Sequence, residues 1–156
     1  MAADDTATLW EEVDILEATI DDMNPQWFHF LRERLFSAGA LDMEVTATMM
    51  KKERVGHALK VLCPPHCSSM LVELIFQHTT TLGLRCRREK RAVLQRDFVS
   101  VETAYGAIAI KRAFWKDKVI NVQPEYEDCV QQARHHATSL KEVYQAALVE
   151  YYKIFS

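Results

Sequence analysis

The chain has few of the residues that break a sequence into pieces. Among 156 residues there are 4 glycines and 4 prolines. No low-complexity linker and no internal repeat separates its periodic segments, which excludes a string of tethered modules or a solenoid. No apolar run approaches the roughly 20 residues that a membrane helix needs. The start, Met1 to Thr8, is acidic and lacks the basic and apolar regions of a signal peptide. Together these absences point to a cytoplasmic protein with no membrane partner. Cysteine is scarce as well. Cys63, Cys67, Cys86 and Cys129 show no disulfide framework and are expected as reduced thiols. Cys63-Pro-Pro-His66-Cys67 has no second ligand pair nearby, so the expected reading is Cys63 ending a strand and Cys67 in the first turn of a helix. The net charge of −3 gives no general attraction to nucleic acid. The distribution is uneven, and Arg85, Arg87, Arg88, Lys90, Arg91 and Arg96 form a locally electropositive segment.

What the chain does have is apolar content, 49% of its residues, enough to bury a core in one domain or two small ones. Residues 13–20 read as a strand. Asn24 then suits a helix N-cap, Pro25 the first helical position and Gly39 the C-terminal stop. Trp27, Phe28, Leu31, Leu35 and Phe36 recur at helical spacing and predict a buried face. Leu41, Met43, Val45, Ala47 and Met49 alternate with Asp42, Glu44, Thr46 and Thr48, the pattern of a strand with one wet face. A turn over Lys51–Gly56 leads to a third strand at 57–63. After Pro64-Pro65 a second helix is expected to bury Leu71, Leu74, Ile75 and His78. A fourth strand at 82–88 would set Leu82, Leu84 and Cys86 opposite Gly83, Arg85 and Arg87. The order is βαββαβ, an α+β fold of ferredoxin-like type with two helices on one face of an antiparallel sheet.

Beyond residue 88 the pattern predicts a hairpin of 92–103 and 107–114 turning near Tyr105-Gly106, then a strand at 118–123. Two helices close the chain. One runs from Glu125 to about His136. The other is announced by the capping box Ser139-Leu-Lys-Glu142 and turns Val143, Ala147, Leu148 and Tyr151 inward. The expected division is a ferredoxin-like domain over 1–88 and a hairpin and helical subdomain over 89–156.

Four segments carry chemistry, each with a plainer alternative. Asp21-Asp22 could ligate magnesium or manganese, or could be solvated charges favourable near a helix N-terminus. Met50-Lys51-Lys52-Glu53-Arg54-Val55-Gly56 places three cations beside a glycine that permits close backbone approach, and alone reads as a solvated charged turn. Thr79-Thr80-Thr81-Leu82-Gly83-Leu84-Arg85 gathers hydroxyls, a glycine and a guanidinium suited to phosphate oxygens without being a Walker loop. Glu125 and Asp128 lie one turn apart, and helix-start charge explains them as readily as a site.

Taken as a set, these segments resemble the C-terminal domain of the LarC-type nickel insertion proteins, which make the nickel-pincer nucleotide cofactor. The resemblance rests on Glu17-Ala-Thr-Ile-Asp-Asp-Met-Asn-Pro25, Ala38-Gly-Ala-Leu-Asp42, Met50-Lys-Lys-Glu-Arg54, Val61-Leu-Cys-Pro64, Ile75-Phe76 with Thr79-Thr-Thr-Leu-Gly83 and Arg85, and Pro124-Glu-Tyr-Glu-Asp128. It covers nearly the whole chain and departs at Ala18, Val55 and His78. It implies an enzyme of the lyase or chelatase class that uses CTP to cytidinylylate pyridinium-3,5-bisthiocarboxylic acid mononucleotide. Nickel is then inserted as substrate metal through a carbon–nickel bond, and CMP is released. On that resemblance this chain is expected to be the CTP-binding half, partnered by an N-terminal histidine-rich domain and inactive in full turnover alone. Asp21 and Asp22 would hold Mg2+ or Mn2+. Lys51, Lys52 and Arg54 would act on the phosphates, with Thr80, Thr81 and Arg85 in supporting contacts. Homo-oligomers are expected because an antiparallel sheet commonly seeks cover. The competing readings are a non-catalytic regulatory module that binds a small ligand, and an RNA-binding sheet. The second is the poorer because Arg85 and Arg87 lack interleaved aromatics.

Overall fold

The computed structural model describes residues 8–155, and the acidic start over residues 1–7 lies outside them. The elements run β1 (Thr8–Ile20), α1 (Trp27–Ser37), β2 (Asp42–Met49), β3 (Val55–Cys63), α2 (Ser68–His78), β4 (Arg85–Thr103), β5 (Gly106–Trp115), β6 (Lys118–Pro124), α3 (Tyr126–His135) and α4 (Leu140–Phe155). This is an α+β fold, and it sorts into two compact units, one of Trp10–Arg91 and one containing Ala92 and the residues that follow. The long strand β4 belongs to both. No helix among the described residues is long and apolar enough to cross a membrane.

In the first unit the strand order is β2-β3-β1-β4. With βαββαβ connections, that order is the ferredoxin-like arrangement expected from the sequence. β3 pairs antiparallel with both β1 and β2, setting Ile20 opposite His57, Glu17 opposite Lys60 and Met49 opposite Val55. The core is made where α1 and α2 meet the sheet. Leu16, Leu31, Leu35, Leu59, Val61, Leu71 and Ile75 are almost wholly withdrawn from water, and each such aliphatic side chain contributes on the order of 1.5–3 kcal/mol.

Several local expectations need correction. α1 begins at Trp27 rather than at Pro25. Asn24 Oδ1 accepts the Gln26 N–H at 3.0 Å and the Asn24 carbonyl accepts from Trp27 at 3.0 Å, so the cap residue closes a turn that leads into the helix. Trp27 and Phe36 are 51% and 42% exposed. Phe28, Leu31 and Leu35 define the buried stripe, and at 100° per residue the other two aromatics fall on its flanks. The helix stop is as expected. Gly39 has φ +96°; its N–H reaches the Phe36 carbonyl and the Ala40 N–H reaches that of Leu35, the paired bonds of a Schellman turn. A Cβ there would also meet Cys67 Sγ at 2.9 Å. In β2 the alternation holds only over Asp42–Thr46, with Met43 buried and Val45 partly so; Leu41, Ala47 and Met49, expected on the same face, are exposed. In α2, Leu71 and Ile75 are buried, whereas Leu74 and His78 are only partly covered.

The fourth strand is not 82–88 followed by a separate strand at 92–103. It is one strand, Arg85–Thr103, and Leu82 is fully exposed. Before residue 85 the backbone is turned by its own hydroxyls. Thr79 Oγ1 donates to the Ile75 carbonyl (2.7 Å) and accepts the Thr81 N–H (3.2 Å), and Thr81 Oγ1 donates to the Gly83 carbonyl (2.8 Å). Past residue 86 the arginine-rich segment stays in the sheet because β1 supplies its counter-charges: Arg87 with Glu17, Arg88 with Asp14 at 2.9 Å, and Arg91 with Glu11. The expected electropositive segment is therefore neutralised at three of its six cations. Asp14 is only 4% exposed, and the Arg88 guanidinium holds its carboxyl below the usual carboxylate range against the opposing effect of burial.

In the second unit β5 pairs antiparallel with β4 and β6. The hairpin turns at Tyr105-Gly106 as expected. Val101, Ile108 and Ile110 pack against Cys129, Ala133, Val143, Ala147 and Tyr151 of α3 and α4; Leu148 is only half-buried. The capping box forms in both directions, Glu142 N–H to Ser139 Oγ at 3.2 Å and Ser139 N–H to Glu142 Oε2 at 3.3 Å. Arg112 forks onto Asp97 and lies over the rings of Phe114 and Phe155 at 5.4 and 5.2 Å.

All four cysteines are free. Cys63 ends β3 in the core, and burial pushes its thiol up to about 11, with the Asp14 carboxylate adding to the effect. It is a packing residue, in keeping with the plain reading of the Cys63–Cys67 segment.

Candidate functional site

β1 ends at Ile20, and the two carboxylates that follow enter a cleft of about 290 Å3. Its lining is Thr19, Ile20, Asp21, Asp22, Thr80, Thr81, Leu82 and Gly83. Each aspartate has a partner from a distant part of the chain. Arg54 Nη1 donates to Asp21 Oδ2 at 3.2 Å, and Thr80 Oγ1 donates to Asp22 Oδ1. The hydroxyl-bonded turn after α2 is what presents Thr80, since Thr79 and Thr81 are occupied with backbone groups.

The basic turn is held against the same end of β1. Met50 N–H bonds to the Arg54 carbonyl at 2.8 Å. Gly56, the second residue of β3, has no room for a side chain, because a Cβ would fall 2.7 Å from the Ile20 carbonyl and 2.5 Å from Met50 Sδ. Within the turn Lys52 and Glu53 adopt φ of +61° and +59°. Two successive left-handed non-glycine residues are costly, and such strain gathers at functional loops. Lys51 and Lys52 are exposed, and neither has a partner among the described residues.

A second shallow cleft of about 290 Å3 lies beside the first, lined by Glu17, Ala18, Thr19, Gly83, Leu84 and Arg85. The two share Thr19 and Gly83. Arg87, and more weakly Arg85, hold the Glu17 carboxyl below its ordinary range. Of the residues singled out from the sequence, Asp21, Asp22, Arg54, Thr80 and Thr81 thus come together around one cleft. Arg85 lines its neighbour, and Lys51 and Lys52 stand on the turn that Arg54 anchors. Glu17 and Asp14 were not singled out. The excess of arginine in β4 calls for acidic partners, and Glu17 also heads the first segment that carries the family resemblance. The other acidic pair is structural: Glu125 accepts from Lys111 Nζ at 2.8 Å and Asp128 from the Ala109 N–H at 2.9 Å.

The donor set bears on what metal could sit here. Among the described residues no three His, Cys, Asp or Glu side chains are grouped to hold an ion, which rules against a closed protein cage there. Two adjacent carboxylates fit a hard divalent cation that takes its remaining oxygens from water and substrate phosphates, the usual manner of magnesium.

The nickel insertion protein family model matches residues 1–144. A putative nickel insertion protein of Acaryochloris marina is 46% identical over 143 residues, covering 92% of this chain and 35% of the relative. The pyridinium-3,5-bisthiocarboxylic acid mononucleotide nickel insertion protein of Clostridium kluyveri is 40% identical over 134 residues, covering 86% of this chain and 34% of the relative. The chain thus spans about a third of the length of these relatives. Among solved structures it is similar to LarC2, the C-terminal domain of a cyclometallase involved in synthesis of the NPN cofactor of lactate racemase, in its apo form. That match has a TM-score of 0.86 and 37% identity, and covers 91% of this chain and 98% of that one. The acidic pair, the basic turn and the threonine turn therefore stand on the fold of a known C-terminal domain, and the chain belongs to the nickel insertion protein family.

Proposed function

We propose that this chain is the nucleotide-binding part of a CTP-dependent nickel insertion enzyme, and that CTP binds with Mg2+ or Mn2+ at the cleft after β1. The observation that carries this reading is the meeting of Asp21 and Asp22 with Arg54 and Thr80 around one opening, beside a turn that bears two exposed lysines. Asp21 and Asp22 hold the cation, which when bound shields the negative charge of the phosphates. Lys51, Lys52 and Arg54 bind phosphate oxygens and stabilise the charge that develops on the leaving group. Thr80 and Thr81 orient the same phosphates through hydroxyl donors, and Arg85 approaches from the adjoining cleft.

The reaction proposed is cytidinylylation of pyridinium-3,5-bisthiocarboxylic acid mononucleotide. A phosphate oxygen of the mononucleotide attacks the α-phosphorus of CTP, a new P–O bond forms, the bond to the bridging oxygen breaks, and pyrophosphate leaves with the electron pair. An ionised phosphate needs no general base. Nickel insertion with a carbon–nickel bond and release of CMP would follow, with a histidine-rich domain handling the nickel. A cytoplasmic homo-oligomer is the proposed setting. Titration calorimetry with CTP, ATP and GTP, each with manganese, tests the reading. CTP binding that is tighter than that of the purine triphosphates and lost in chelator is expected; equal affinities, or affinity that survives chelation, overturn it.

A further inference from the structure

β2 is the outermost strand of the first unit, and among the described strands only β3 pairs with it. Its far side is an open sheet edge. The register with β3 runs unbroken from Asp42 opposite Leu62 to Met49 opposite Val55, with no proline and no bulge in β2. Proline and bulges are the features that commonly blunt an exposed edge. β6, the edge strand of the second unit, has both, since Pro124 ends it and its register shifts at Ala113 and Phe114. The bond from the Met50 N–H to the Arg54 carbonyl fixes which backbone groups of β2 face outward. Hydrogen-bonded and open pairs alternate along an antiparallel ladder, so Thr48, Thr46 and Glu44 turn to β3 while Met49, Ala47, Val45 and Met43 turn to the open side. The apolar side chains gather on those same residues and beside them. Met49 and its cross-strand neighbour Val55 are each 67% exposed, and Leu41, just before the strand, is 42% exposed.

We infer that β2 pairs antiparallel with β2 of a second copy of this chain, about a two-fold axis through Val45. The order of residues along the strand selects that occupant. With the axis at Val45, Leu41 lies opposite Met49 of the second copy and Met43 opposite its Ala47, so apolar groups that one chain leaves in water cover one another. On the other face Asp42 and Glu44 meet Thr48 and Thr46, and no like charges stand directly opposite. Moving the axis to Glu44 sets that carboxylate against its own equivalent, and moving it to Thr46 sets Leu41 against Lys51. Antiparallel order also carries the acidic start of each strand toward the basic turn, Lys51 and Lys52, that follows the other. The inference rests on the proposed homo-oligomeric state and adds its contact surface and symmetry; nucleotide binding does not enter it.

Sedimentation equilibrium of the full chain tests it. A contact between identical surfaces joins copies in pairs, so the wild type should sediment with an even multiple of the chain mass. Ala47→Pro removes an outward N–H and none that bonds to β3, and should halve that mass while circular dichroism keeps the folded spectrum. Ala47→Lys adds a charge at the same exposed position without altering the backbone; it should have the same effect, and it decides the matter if the proline variant does not fold. Val45→Cys, made with Cys86→Ser, should form an inter-chain disulfide on mild oxidation, because facing residues of an antiparallel hydrogen-bonded pair have Cα atoms about 5.5 Å apart. A folded Ala47→Lys protein of wild-type mass overturns the inference and leaves a homo-oligomer built through another surface. An odd number of copies, or no cross-link in the Val45→Cys protein, also overturns it. A monomeric wild type removes the homo-oligomeric state, and the inference with it.

Discussion

Arg54 Nη1 and Asp21 Oδ2 are 3.2 Å apart, joining the basic turn to the acidic end of β1 across 33 positions of sequence. The pair is partly exposed, so it adds little to stability. Its effect is positional: it brings the turn that carries Lys51 and Lys52 to the carboxylates.

Replacing Lys51 and Lys52 by alanine should leave the thermal midpoint nearly unchanged, since exposed substitutions move stability by about 0.5 kcal/mol or less. CTP affinity should fall roughly ten- to a hundred-fold per lost phosphate contact. Calorimetry on the double variant checks this, and unchanged affinity in a folded protein returns both lysines to the solvated surface.

Lys52→Gly relaxes the turn's backbone and removes its charge together, and stability and affinity report the two effects. Glycine occupies φ near +60° without the cost borne by an L side chain, so the variant should gain about 1 kcal/mol in denaturant unfolding while losing nucleotide affinity. Unchanged stability would show that the turn stores no strain, and unchanged affinity would take the Lys52 charge out of the phosphate site.

Asp21→Asn and Asp22→Asn keep shape and remove charge. Manganese-dependent CTP binding should collapse in at least one of them, with only a modest change in the melting temperature of the unliganded protein. Wild-type affinity for manganese and CTP in both single variants and in the double variant would sink the metal assignment.

Acid should loosen the β1–β4 pairing. The folded protein holds the Asp14 and Glu17 carboxyls below their ordinary values through Arg88 and Arg87. Their stabilisation is therefore complete above the unfolded carboxylate range and is lost as pH falls below about 4. Arg88→Met leaves the buried Asp14 charge unmatched. It should melt lower at pH 7 and lose less than the wild type on acidification, as circular dichroism melts between pH 3 and 7 would show.

The sequence carried the βαββαβ order because Met43 and Val45 alternate with polar residues and Leu31 and Leu35 recur at helical spacing, patterns that follow from each element's own geometry. Its limits appeared where distant residues decide the outcome. Leu82 looked like a strand position, and only the hydroxyl bonds of Thr79 and Thr81 turn it outward. Arg88 looked like free charge, and only pairing with β1 shows the Asp14 beneath it. Trp27 satisfied the helical period, yet a stripe already filled by Phe28, Leu31 and Leu35 has no place for it. The candidate site was legible as three separate motifs; their meeting depends on the Gly56 contact and on register.

Gly83 differs in kind from Gly39 and Gly56. A Cβ built on Gly83 meets nothing within 4 Å, although the residue lines both clefts beside β1. Packing therefore gives no reason for the smallest residue at a position where a chain with 4 glycines has placed one. The free protein should accept Gly83→Ala or Gly83→Ser with an unaltered unfolding curve. Any bias against these changes among functional variants would then measure how closely a bound molecule passes that backbone.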